Sequence, residues 1–150
     1  MADKRSVTIL LVEDDAGHAR LIEKNLRRSG ISNDIVKIPD GHLAIEYLLR
    51  QGAYAGIPLP SPLLILLDLN LPGVDGYQVL QRMKTDERCR HLPVIVLTTT
   101  DDAREVARCY ELGCNVYITK PVDYDQFAQA INQLGLFLTI VTIPDGEEPR

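Results

Sequence analysis

Short apolar runs punctuate the chain, and each stops against polar or breaking residues. Val7 to Val12 (VTILLV) ends at Glu13-Asp14-Asp15, and Leu63 to Leu67 (LLILL) ends at Asp68. Val94 to Leu97 (VIVL) runs into Thr98-Thr99-Thr100, Val116 to Ile118 (VYI) into Thr119-Lys120-Pro121, and Asp34 to Ile38 (DIVKI) into Pro39. Runs without alternation suit parallel strands buried on both faces. Between them the apolar residues take a helical period. Ala19, Ile22 and Leu26 recur within His18 to Arg28, while Leu43, Tyr47 and Leu48 follow the capping pair Asp40-Gly41. Tyr77, Leu80 and Met83 follow Asp75-Gly76; Val106, Ala107 and Tyr110 lie between Asp101 and Leu112, with Gly113 as a stop. Phe127, Ile131 and Leu134 follow Pro121-Val122-Asp123. Strand and helix alternate five times, which predicts an α/β fold: a doubly wound, five-stranded parallel sheet with helices on both faces. The stretch GAYAGIPLPSP (52–62) reads as a surface loop before the third strand.

Composition narrows the function classes. With 150 residues, 45% of them apolar, the chain suits one domain. A net charge of −5 gives no general attraction to phosphate backbones, so nucleic acid is not an expected partner. Cys89, Cys109 and Cys114 are odd in number and lack C-x-x-C spacing, which speaks against disulfides and zinc. No run reaches the ~18 apolar residues of a membrane span, and MADKRSVTILLVEDD has no cleavage site of a signal peptide. A cytoplasmic protein without membrane attachment is expected.

Open α/β sheets build their sites beyond the carboxyl ends of the strands. There the sequence puts Glu13, Asp14 and Asp15 after the first strand, and Asp68 with Asn70 after the third. Thr98 follows the fourth strand and Lys120 the fifth. Clustered carboxylates need a compensating cation, and hard oxygen donors favour Mg²⁺. Such an ion suits phosphoryl transfer to a carboxylate nucleophile. The plainer reading is that Glu13-Asp14-Asp15 and Asp40-Gly41 only cap helices. Convergence at one edge with Lys120 favours a site.

These residues carry a resemblance. LLVEDD (10–15), LLDLNLPGVDG (66–76), VIVLTTT (94–100) and YITKP (117–121) resemble the receiver domain of two-component response regulators, over about residues 5–135. The spacings from Asp68 to Thr98, Tyr117 and Lys120 agree as well as the identities. The resemblance implies a flavodoxin-like receiver fold of five βα units. It implies Asp68 as phosphoacceptor from a phosphohistidine of a sensor histidine kinase. Mg²⁺ would be held by Asp14 and Asp68, by Glu13 through water, and by the backbone carbonyl of Asn70. Lys120 would pair with the phosphoryl oxygens, Thr98 would turn its hydroxyl to them, and Tyr117 would be the aromatic switch. Pro121 would follow a cis bond, Gly76 would let the next helix start close by, and Asp15 has no assigned role. His18 stands beside the site as an exposed helix residue.

The loop 52–62 and the apolar tail LGLFLTIVTIPDGEEPR (134–150) resemble the single-domain regulators paired with bacterial and cyanobacterial phytochromes. That implies a phytochrome-type kinase as partner and no separate output module. Residues 136–150 form an extension that either packs on the core or adds to a homodimer contact through the fourth helix, fifth strand and fifth helix. A haloacid-dehalogenase-like phosphatase would also use Asp68 as nucleophile, but it wants a second acid where Asn70 stands. A nucleotide-binding module would want G-x-G-x-x-G or a P-loop where the chain has EDDAGHA. A pseudo-receiver would not need Asp14, Asp68, Thr98 and Lys120 together.

Overall fold

Central strands apolar on both faces require cover on both faces, and the computed structural model supplies it. It describes residues 6–28, 30–99 and 102–134. The strands are β1 (Thr8–Val12), β2 (Ile35–Ile38), β3 (Leu63–Asp68), β4 (Val94–Thr98) and β5 (Val116–Thr119). The helices are α1 (Ala16–Arg28), α2 (Gly41–Leu49), α3 (Gly76–Lys84), α4 (Ala103–Glu111) and α5 (Tyr124–Leu134). All pairings are parallel, in the order β2-β1-β3-β4-β5. This is the doubly wound, flavodoxin-like receiver fold, with its switch point between β1 and β3.

The period-two pleat divides the core into two layers. Leu10, Val12, Ile65, Leu67 and Val96 pack with Ala44, Leu48, Val79, Leu80 and Met83 of α2 and α3. Ile9, Leu11, Leu66, Ile95 and Leu97 pack on the other face with Ala19, Ile22 and Leu26 of α1 and Phe127 of α5. All six residues of β3 are buried, so its last residue, Asp68, enters the site from the middle of the sheet.

Aspartates start the helices at that same edge. Asp15 accepts from the His18 N–H at 2.9 Å, and Asp40 accepts from Leu43 at 3.0 Å. Asp75 forms a reciprocal capping box with Gln78, both bonds being 2.9 Å. Asp102 accepts from the Arg104 N–H at 2.8 Å and Asp123 from that of Gln126 at 2.9 Å. Each such cap is worth about 1 kcal/mol. The Asp15 cap explains why α1 begins at Ala16 rather than His18.

Two helix stripes differ from expectation. On α4 the buried residue is Cys109; Ala107 is exposed, Tyr110 is exposed and Val106 is half-buried. On α2 Leu43 is exposed, and Ala44, Tyr47, Leu48 and Leu49 make the contact. A compact thiol packs like a small hydrophobe, which an aliphatic stripe does not announce. The loop 52–62 runs over the surface as expected, yet it is anchored. The Tyr54 ring meets Tyr47 edge-on at 5.1 Å, and the Arg50 guanidinium lies 4.5 Å above the Tyr47 ring. The extension 136–150 expected to pack or dimerise lies outside the described residues, as do the side chains of Ile131 and Leu134.

Candidate functional site

Four strand ends deliver the site. Glu13 follows β1 and is buried, Asp14 beside it is exposed, and Asp68 closes β3 with 2% exposure. Thr98 ends β4 fully buried, and Lys120 follows β5. Glu13, Asp14 and Asp68 each offer a carboxylate oxygen, all within 4.8 Å of one another. The Lys120 ammonium donates to Asp68 Oδ2 at 3.1 Å and closely to Glu13 Oε1. Backbone donors complete the pocket: the Asn70 N–H reaches Asp68 Oδ1 at 3.1 Å, and the Asp15 N–H reaches Glu13 Oε2 at 3.3 Å. The Lys120 N–H donates to the Thr98 carbonyl at 2.7 Å, tying the lysine to β4. The Lys120-Pro121 peptide bond is cis, as expected.

Backbone proximity is built in by glycine. A Cβ on Gly76 would lie 2.4 Å from the Asp68 carbonyl oxygen, so only glycine lets α3 start against the end of β3. Gly41 has the same role, unforeseen in the sequence: its Cβ would lie 2.1 Å from the Val74 carbonyl oxygen. The first turn of α2 therefore presses on the loop that follows Asp68.

Burial, and then the neighbouring Asp68 carboxylate, push the Glu13 carboxyl up to about 7. Burial pulls Lys120 down, but Glu13 and Asp68 outweigh it and hold the ammonium above its ordinary range. One lysine facing three carboxylates leaves the cluster short of positive charge, and its donors are hard oxygens. That chemistry fits a divalent cation such as Mg²⁺, which takes one or two carboxylates and keeps waters. Asp15 does not join the acids through its side chain; it caps α1.

The remaining expected residues surround this centre. Asn70 is exposed, so its side chain is open to solvent while its backbone holds Asp68. Tyr117 is half-buried on β5 against the α2–α3 layer, and its hydroxyl accepts from Thr119 Oγ1 at 3.4 Å. His18 Nδ1 lies 3.9 Å from Glu13 Oε1. Beside Lys120 opens a pocket of about 270 Å³ lined by His18, Leu21 and Ile22 of α1, Thr99, Pro121 and Val122. Leu21 was not singled out in the sequence. Its signal was there, since it is an apolar residue off the Ala19–Ile22–Leu26 stripe.

Residues 9–132 match the response regulator receiver domain family. The chain belongs to that family. As a receiver domain of a response regulator it is not an enzyme in the usual sense, which sets the phosphatase reading aside. The receiver domain is 39% identical over 137 residues to the response regulator Rcp1 of Synechocystis, covering 91% of this chain and 92% of Rcp1. The manganese-bound structure of Rcp1 superposes with a TM-score of 0.72, covering 92% of this chain and 99% of that one. The bacteriophytochrome response regulator RtBRR superposes with a TM-score of 0.81 at 40% identity, covering 94% of this chain and 85% of RtBRR. The receiver domain is thus similar to phytochrome response regulators. Among the described residues no helix is long and apolar enough to cross a membrane.

Proposed function

We propose that this response regulator accepts a phosphoryl group on Asp68 from a phosphohistidine of a sensor histidine kinase of the phytochrome type. The observation that carries the reading is the Lys120 ammonium bridging Glu13 and Asp68 inside the acidic cluster. In the transfer, an Asp68 oxygen bonds to phosphorus, the phosphorus–nitrogen bond breaks, and its electron pair returns to the donor imidazole. Asp14 and Asp68 would hold Mg²⁺, with Glu13 contributing through water and the Asn70 carbonyl as a backbone oxygen. The ion supplies charge neutralisation around phosphorus. Lys120, already on Asp68, turns its point charge to a phosphoryl oxygen. Thr98 donates its hydroxyl to the same group, and Tyr117 changes rotamer to report the event on the α4–β5–α5 face.

The receiver unit spans residues 5–135, and 136–150 extend it. Phosphorylation acts on a cytoplasmic homodimer formed through α4–β5–α5 and the tail. Its partners are proteins, with no nucleic acid or membrane among them. The likeness to Rcp1 and RtBRR supports the phytochrome assignment. The test is incubation with Mg²⁺ and acetyl phosphate, followed by a search for an acid-stable, base-labile aspartyl phosphate. The native chain gains it and Asp68→Asn does not; an equal gain in Asp68→Asn removes Asp68 from the role. Phosphotransfer from a phytochrome kinase tests the donor separately.

A further inference from the structure

The pocket next to the acids is walled mainly by apolar side chains and by none of the site's carboxylates. Its walls are Leu21 and Ile22 from α1 and Pro121 and Val122 from the segment after β5, and Lys120 belongs to both pocket and acid cluster. The Asn25 side-chain amide donates to the Val122 carbonyl at 3.0 Å, fixing that wall to α1. Leu21 is 47% exposed, an apolar side chain left at the pocket rather than in the core. A cation joined to an apolar cavity matches a ligand with an anionic head and an apolar body.

Resting on the reading of Asp68 as acceptor, we propose that this pocket seats the leaving group of low-molecular-weight acyl phosphates and selects those with a bulky apolar acyl group. Lys120 donates to Asp68 at 3.1 Å and also lines the pocket, so a donor whose phosphoryl group is held by Lys120 has this pocket beside its acyl group. An apolar cavity of roughly 150 Å³ holds a benzene ring. The 270 Å³ here therefore accommodates one ring with its carboxyl group, whereas a methyl group leaves most of it unfilled. In the step, the Asp68 Oδ–phosphorus bond forms and the bond from phosphorus to the acyl oxygen breaks. Its electrons leave with the carboxylate. A carboxylate departs without taking up a proton, so the site needs no general acid in the place that Asn70 occupies.

The test compares benzoyl phosphate and acetyl phosphate as donors to the full chain with Mg²⁺, following aspartyl phosphate by intact mass. Partial burial of the ring makes benzoyl phosphate faster by about tenfold at equal low concentration. Leu21→Gln, at an exposed position that does not endanger folding, brings the ratio of the two rates down severalfold. Equal rates in the native chain, or a ratio unchanged in Leu21→Gln, overturns the proposal; the second result would mean the donors differ only in intrinsic reactivity. Failure of both donors overturns the Asp68 reading itself, and this proposal with it.

Discussion

At the scale of single residues, the site turns on how the neighbours of Glu13 set its charge. Folded Glu13 keeps its proton up to about 7, whereas its ordinary value is 4.5. The folded state therefore binds more protons across that window, and the favourable contribution, complete below 4.5, is lost as pH rises through 7. Magnesium needs the deprotonated oxygen, so its affinity rises over the same window. The rise in Tm on adding Mg²⁺ should accordingly be larger at about pH 8 than at about pH 5.5, and Glu13→Gln should flatten that difference. Thermal unfolding with and without Mg²⁺ checks both. The sequence made the candidate residues legible but not their division of labour. Glu13, Asp14 and Asp15 are three consecutive acids, and only the chain direction after β1 sends two toward Asp68 and leaves the third to cap α1. Lys120 was legible as a cation opposite the acids; its simultaneous hold on Glu13 and Asp68 depends on the packing of β5 beside β4.

At the scale of elements, strands were more legible than helix faces. Strands buried on both sides need only be apolar throughout, as LLILL is, so their signal survives without knowledge of neighbours. A helix face depends on what covers it. The Val106–Ala107–Tyr110 stripe has the right period, yet α4 reaches the core through Cys109. Close approach between elements leaves still less trace. Nothing in the sequence separates Gly41 from a glycine placed after Asp40 for a cap. In an open helix, Gly→Ala stabilises by about 1 kcal/mol. At Gly41 the added Cβ would meet the Val74 backbone, so Gly41→Ala should instead destabilise by about 2 kcal/mol, measured by urea unfolding. Because that contact bears on the loop after Asp68, the variant should also slow phosphorylation.

At the scale of the whole molecule, the alternating pattern made the parallel sheet with helices on both faces legible, but not the order β2-β1-β3-β4-β5, because right-handed crossovers fix only the face each helix covers. The tail enters only as composition, since 135–150 lie outside the described residues. Leu134 to Ile143 is a run too hydrophobic for the surface of a monomer. Light scattering of the full chain should report a dimer, and a chain ending at Leu134 should run as a monomer. Monomers in both cases, with and without phosphorylation, would refute the dimer.

The capping aspartates have a kinetic consequence. Asp15, Asp40, Asp75, Asp102 and Asp123 all stand at helix N-termini, and in a parallel sheet those termini ring the edge where Asp68 lies. Helix dipoles offset these charges only in part. A small anionic phosphodonor must therefore cross a negative collar before it reaches Lys120. Added salt screens that collar, so at saturating Mg²⁺ the rate with acetyl phosphate should climb with ionic strength, the reverse of electrostatic steering. A donor that carries its phosphoryl group on a protein surface can bring cations of its own across that collar.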